Sequence, residues 1–328
     1  MADNTDSGGY CVSEQERDAW LGLAWGAELG PAGFDRLLGL YGSATAVLQA
    51  SEEDLVYGEA HLKSHQTALI RGLATILDQY HREADELTDR GVSVFLSTDP
   101  GYPPILHQLP HAPPVVCLRG KLLPIDDLAL AIVGTRTPSH EGVEMAGKIA
   151  ALATGDDFTI VSGLARGIDT AAHLGALQRQ GRTLAVMGNG IRNVHPPEND
   201  ELAERIEKQG AIISELPPHA EPTVPNLMAR NRLISLLARA VVVVECGTTG
   251  GSISTAQAAL HQNRKLYAIQ WPEPTDKQLG NAQLIAHGAE PLRAPQEIHA
   301  VCQTLRAFRP VMPPPHAAPE HKSQMNLF

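Results

Sequence analysis

From Gly91 onward the chain alternates short, unbroken apolar runs with longer stretches of helical spacing, and few folds accept that rhythm. Runs at 92–96, 115–118, 128–133, 159–162, 183–187, 211–214, 240–245 and 265–269 have strand length, while helical patterns fall at 141–154, 169–180, 199–209, 226–238 and 252–262. Strands covered on both faces read as continuous apolar segments, and strand–helix–strand repetition builds parallel sheet through right-handed crossovers. The pattern predicts an α/β fold: an extended Rossmann-like, doubly wound, mostly parallel sheet. Ligands of such sheets bind outside the carboxyl ends of the strands.

The two ends of the chain differ in texture. Residues 1–15 have neither a basic start nor an apolar stretch, so no secretory signal is expected and they read as a disordered N-terminus. Residues 16–90 show helical spacing with turns at Gly30-Pro31 and Tyr41-Gly42-Ser43, and a capping pattern at Ser51-Glu52-Glu53-Asp54, which predicts a small helical domain. The Rossmann-like domain is expected over 91–308. Residues 309–328 place five prolines in twenty positions and predict a disordered tail. At 328 residues the chain is long enough for this division, since single cores rarely pass roughly 250 to 300 residues.

Net charge is −11, which taken whole argues against an anionic partner, but the charge is unevenly placed. Residues 1–90 hold six Lys and Arg against sixteen Asp and Glu, whereas the remainder is close to neutral. A local basic cleft after residue 90 is therefore compatible with the total, because the local field attracts a phosphate backbone. The acidic helical part suits a protein partner better. No apolar run approaches the roughly 20 residues of a membrane span, and a cytoplasmic protein with no membrane partner is expected. The four cysteines, Cys11, Cys117, Cys246 and Cys302, form no CxxC pair and no zinc spacing; Cys246 reads as a packing residue.

Three strand ends run into small or Gly-containing loops, at Gly134-Thr135-Arg136, at Ser162-Gly163-Leu164-Ala165-Arg166-Gly167, and at Cys246 through Gly250, Gly251 and Ser252. Such loops let backbone N–H groups approach an anion, and Asp169 and Ser252 read as caps of the helices that follow. Together they predict a phosphate cradle on one sheet edge. A fourth element, Arg230-Asn231-Arg232, sits near an expected helix start. Two arginines there need either a bound anion or carboxylates such as Glu215 or Glu245. Asp169 and His173 read as structural, capping and packing their helix. The stretch Gly188-Asn189-Gly190 lacks the third glycine of a dinucleotide fingerprint, and no P-loop, HExxH or GxSxG occurs, so no cofactor is expected.

The ordered segments AIVGTRTP, IVSGLARGIDTAAHLGAL, GNGIRNVHPPEN, SELPP, ARNRLIS, VVVVECGTTGGSISTAQAAL and LGNAQLIAHGAEPL resemble the DNA-processing protein A (DprA, also called Smf) family over about residues 90–293. GPAGFDRLLGLYGSATAVL resembles the SAM-like helical domain that many members carry. The resemblance implies a non-enzymatic, homodimeric binder of single-stranded DNA that protects incoming strands and loads the RecA recombinase in natural transformation and recombination. It also implies that Arg136, Ser162, Gly163, Arg166, Arg230 and Arg232 line a phosphate track. Leu227 stands where members commonly have an aromatic, and the Pro-rich tail stands where many have a winged helix. The alternative reading is a nucleotide-binding sensor or a phosphoribohydrolase-like enzyme in the same cradle, although the loop after Cys246 has no carboxylate to act as proton donor. The last five residues resemble sliding-clamp docking peptides, with Gln324, Leu327 and Phe328 as the contact residues.

Overall fold

The computed structural model describes residues 12–311, so the expected clamp-contact residues Gln324, Leu327 and Phe328 and most of the expected N-terminal extension lie outside the described residues. Two compact units are present: one holds the described residues up to His107 together with 111–117 and 215–217, the other holds 108–110, 118–214 and 218 onward.

In the first unit six helices precede a strand: α1 (Glu14–Gly26), α2 (Gly30–Tyr41), α3 (Ala44–Gln49), α4 (Glu52–Tyr57), α5 (Ser64–Leu73), α6 (Leu77–Asp89), then β1 (Val92–Leu96). Ser51 Oγ accepts from Asp54 N (3.0 Å) and its hydroxyl donates to Asp54 Oδ2 (2.7 Å), which is the helix start its sequence announces. Gly42 ends α2 in the left-handed region, and Ser43 Oγ opens α3 by accepting from Ala46 N (3.0 Å). Trp20, Leu23, Phe34, Leu37, Val47 and Ile70 are buried between these helices, and the Trp20 indole donates to Pro114 O (2.9 Å). Strand β2 (Val115–Gly120) follows.

The second unit continues with β3 (Ala129–Val133), α7 (His140–Gly155), β4 (Thr159–Ser162), α8 (Ile168–Gln178), β5 (Thr183–Val186), α9 (Asp200–Gln209) and β6 (Ala211–Ser214). It then runs through α10 (Val224–Leu236), β7 (Ala240–Val243), α11 (Gly251–His261), β8 (Lys265–Ile269), α12 (Leu279–Ala286), β9 (Glu290–Leu292) and α13 (Ile298–Ala307). Its strands lie in the order β6-β5-β4-β3-β7-β8-β9 and every neighbouring pair is parallel. The fold is the doubly wound, mostly parallel sheet that the apolar rhythm requires. Alternate side chains divide the core. Leu130, Ile132, Val242, Val244, Tyr267 and Ile269 pack with α7, α8 and α13, while α10 and α11 pack on each other.

Some boundaries and elements part from the sequence reading. The apolar run 240–245 is strand only to Val243, because the Asn281 side chain takes the carbonyls of Val243 (3.0 Å) and Val244 (2.9 Å). Neither α12, α13 nor β9 was anticipated. Three residues around Pro291 carry too little pattern to read as a strand until β8 supplies partners.

Candidate functional site

Strand order reverses at β3 and β7: the chain leaves β3 toward β4 and leaves β7 toward β8 on the other side. A crevice must open outside the carboxyl ends of that pair. It is a cleft of about 420 Å³, lined by Gly134, Thr135, Arg136, Arg230, Gly250 and Ser252 among others. A smaller neighbouring hollow adds Gly163, Arg166, His195 and Pro196. All three sequence-predicted loops thus converge, but they are not equivalent.

The loop after β4 is closed by the protein itself. Gly163 N and Ala165 N donate to Asp169 Oδ2 (3.1 and 3.4 Å), and Ile168 N donates to Thr135 O (3.2 Å). Asp169 is therefore no cap of its own helix; it closes the turn that precedes it. Gly167 has φ 77, and a Cβ there would lie 2.5 Å from Thr135 O, so only glycine permits this approach. The Ser162 hydroxyl, expected on the phosphate track, is buried and donates to Ile132 O (2.6 Å). At the start of α7, Ser139 Oγ accepts from Gly142 N (3.0 Å), and Ser139 N and Oγ donate to the buried Glu245 carboxylate. Glu245 is thereby committed to Ser139.

The loop after β7 is different. Helix α11 has Gly250 as N-cap with φ 115 and no side-chain cap, so Ser252 does not play the role its position suggests. The first N–H groups of this helix have no intrahelical acceptor, and they carry the positive end of the helix dipole. Gly250, Gly251 and Ser252 line the cleft. Arg136 lines the same cleft, exposed and without a hydrogen bond or ion pair to any described residue.

The Arg230-Asn231-Arg232 triplet lies in the second turn of α10, which begins at Val224 behind the Thr223 cap, so the helix-dipole argument made for these arginines does not apply. Positions two apart on a helix point about 200° from each other. Arg230 turns inward, 5% exposed, and donates to Gly163 O (2.8 Å), to Val186 O and to Asn231 Oδ1 (3.2 Å). It clamps the ends of β4 and β5, and a Cβ on Gly163 would stand 2.7 Å from its guanidinium. Burial pulls Arg230 down to about 10; Asp169 opposes this and Arg136 adds to it. Burial likewise raises the Asp169 carboxyl, with Arg230 and the loop N–H groups holding it back. Asn231 Nδ2 donates to Gly251 O (3.1 Å), tying α10 to the open loop. Arg232 lines neither cavity and is engaged in interactions of its own.

His173 is wholly buried. Burial, and after it Arg230, lowers it to about 3. Thr183 Oγ1 donates to Ile160 O (2.9 Å), so His173 Nδ1 must donate to Thr183 Oγ1 (2.7 Å) as a neutral ring, in keeping with a packing role. Cys246 is buried too, its thiol pushed up to about 12 by burial.

Sequence reasoning missed three features of the site. Arg166, largely exposed, forms an ion pair with Glu198, which lies 32 residues away in the PPEN stretch. Val224 and Met228, one helical turn apart, are exposed and give the cleft an apolar wall with Leu227. Lys277 donates to Thr137 O (2.8 Å), beside Arg136. Met228 falls within the helix expected over 226–238, but Val224 lies before it, and the sequence pattern shows the exposure of neither. Among the described residues no group of three or more His, Cys, Asp or Glu is placed to hold a metal, and no helix is long and apolar enough to cross a membrane.

A doubly wound parallel sheet whose switch-point cleft carries, among the described residues, the start of α11 without a side-chain cap and an arginine without a partner defines an α/β protein of the Rossmann-like class. The chain belongs to the DNA recombination-mediator protein A family, which matches residues 93–303. Protein Smf of Synechocystis sp. is 38% identical over 206 residues, 62% of this chain and 52% of that protein, so the chain spans about half of that relative. The DNA processing protein DprA of Streptococcus pneumoniae is 32% identical over 233 residues, 70% of this chain and 82% of that protein. The X-ray structure of DprA from S. pneumoniae superposes with a TM-score of 0.66 at 28% identity, covering 88% of this chain and 98% of that one. DNA processing protein A from Helicobacter pylori, whose structure was described for its single-stranded DNA binding mode, shares the fold at a TM-score of 0.58 and 24% identity, covering 65% and 96%.

Proposed function

We propose that this chain binds single-stranded DNA through phosphate contacts in the β3–β7 cleft, as a non-enzymatic homodimer, and hands the strand to the RecA recombinase during recombination and natural transformation. The observation that carries the reading is that Arg136 and the start of α11, which has no side-chain cap, line one open cleft. Backbone N–H groups and an arginine fork recognise phosphate oxygens without reading sequence, as a general strand binder must. Of the other expected contacts, Gly134, Thr135, Gly163 and Gly167 shape the loops, Arg166 reaches a phosphate by leaving Glu198, and Arg230 and Asn231 hold the scaffold. The one carboxylate lining the cleft, Asp169, is committed to two backbone N–H groups, which leaves it ill placed for acid–base turnover of a nucleotide. The acidic helical unit and the terminal Gln324, Leu327 and Phe328 would serve protein partners, the latter a sliding clamp.

Titration with short dT oligomers over a range of salt tests the reading. For single strands log K falls with log salt by about 0.7 per phosphate neutralised, so Arg136→Ala should flatten the slope by about that amount. Equal slopes for the two proteins would remove Arg136 from the site. Mononucleotides binding as tightly as oligomers would favour the small-nucleotide sensor.

A further inference from the structure

A third cavity, of about 250 Å³, opens past the carboxyl end of β8, lined by Gln270, Trp271, Pro274, Gln278, Asn281 and Ile285. It is smaller than the roughly 300 to 1,000 Å³ of sites for drug-sized ligands and suits a single ring system. Trp271 is half-buried and held by its indole N–H, which donates to Val244 O (3.0 Å). The other two tryptophans of the chain, Trp20 and Trp25, are core residues of the first unit. Asn281 is spent on framework: its Nδ2 donates to Val243, Val244 and Ile269 carbonyls and its Oδ1 accepts from Cys246 N (2.8 Å). Gln278 Oε1 accepts from Thr275 N (3.0 Å), while its amide NH₂ has no acceptor among the described residues. An aromatic wall with an available amide donor matches a nucleobase, which offers a π-face and edge acceptors.

The pocket adjoins the cleft of Arg136. Gly280 N donates to Cys246 O (3.0 Å), and Cys246 and Gly247 line that cleft. Lys277, between the Trp271 loop and α12, reaches Thr137 beside Arg136 and extends the cationic edge toward the pocket. Apart from His195, no aromatic side chain lines the two cavities around Arg136, where Leu227 provides an aliphatic wall. Resting on the single-strand reading above, we propose that the Trp271 pocket receives an unstacked base of the strand whose phosphates lie along Arg136 and Lys277. Base stacking is then supplied here, at the end of β8, and not from α10.

The test uses the full chain with two ligands of equal length, a dT oligomer and an abasic sugar–phosphate oligomer. Trp271→Leu keeps apolar bulk but removes the extended ring. It should weaken dT binding by about tenfold, leave abasic binding unchanged and leave the salt slope as in wild type. Trp271→Phe, which preserves packing, should stay within about threefold on dT. Tryptophan emission should be quenched by dT in wild type and not in Trp271→Phe, since Trp20 and Trp25 lie in the other unit's core. Equal weakening on both oligomers, no weakening on dT, or quenching that survives in Trp271→Phe would each overturn the base pocket and leave the phosphate track standing. Wild type binding neither oligomer would overturn the single-strand reading and this proposal together.

Discussion

Replacing Arg230 by Met separates the scaffold from the binding surface. The side chain is buried, and its guanidinium donates to two strand-end carbonyls, Gly163 O at 2.8 Å and Val186 O, next to the buried Asp169 carboxyl. Met fills a comparable volume but leaves both carbonyls without these donors and Asp169 without a nearby cation. An orphaned buried acceptor costs about 1–3 kcal/mol, and breaking a buried charge arrangement by removing one partner costs about 3–5 kcal/mol. These overlap, so a loss of about 4 kcal/mol is expected, which lowers Tm by on the order of 10 °C for a unit of this size. The loss should depend on pH. Without Arg230 the folded-state pKa of Asp169 rises further above its ordinary value of 3.8, so the native variant binds the proton more readily than the unfolded chain. The deficit is therefore largest at neutral pH and shrinks as pH falls through that raised pKa toward 3.8. Calorimetric and chemical unfolding of Arg230→Met beside Arg136→Ala measures this; the exposed Arg136→Ala should stay within about 0.5 kcal/mol of wild type. If Arg230→Met melts with wild type yet loses oligonucleotide binding, Arg230 is a ligand of the phosphate and its role as a clamp is wrong.

Glu198→Gln removes the carboxylate that pairs with Arg166. Because Arg166 no longer has to leave a carboxylate, anisotropy titrations with a dT oligomer should show a severalfold gain in affinity at low salt, whereas unchanged affinity would mean that Arg166 meets no phosphate. His173 is lowered to about 3 by burial, below its ordinary 6.5, so its contribution is complete above pH 6.5 and is lost as pH falls toward 3. Urea unfolding across that window should show wild-type stability falling by about 1.4 kcal/mol per pH unit more than that of His173→Gln, and parallel pH curves would show that the ring is not buried neutral.

The sheet was legible in the sequence because parallel strands covered on both faces must be apolar throughout, and runs such as 159–162 and 211–214 have no other economical burial. The loops at Gly134, Gly163 and Gly250 were legible for a related reason, since strand ends followed by small residues can bring backbone close to a ligand. What the order of residues could not reveal was which loop stays open. Gly163 and Ala165 donate inward because Asp169 folds back on them, and α7 is sealed by Ser139 and by Glu245 from 106 residues away. Neither α8 nor α11 has a side-chain cap, but the start of α8 is tied to Thr135 and Ala165 by backbone hydrogen bonds, whereas that of α11 lies open on the cleft; among the described residues lining it, Arg136 is an arginine without a partner. Arg230 and Arg232 show the same division. The triplet announces two cations, but helix geometry sends them to different sides, and desolvation with two waiting carbonyls turns one of them into a structural clamp. Local pattern determines which segments become strands, helices and flexible turns, because backbone propensity and burial periodicity act over a few residues. The partners of each charge are decided only when the sheet brings distant loops to one edge, where an unpaired buried donor or acceptor costs enough to select a single arrangement.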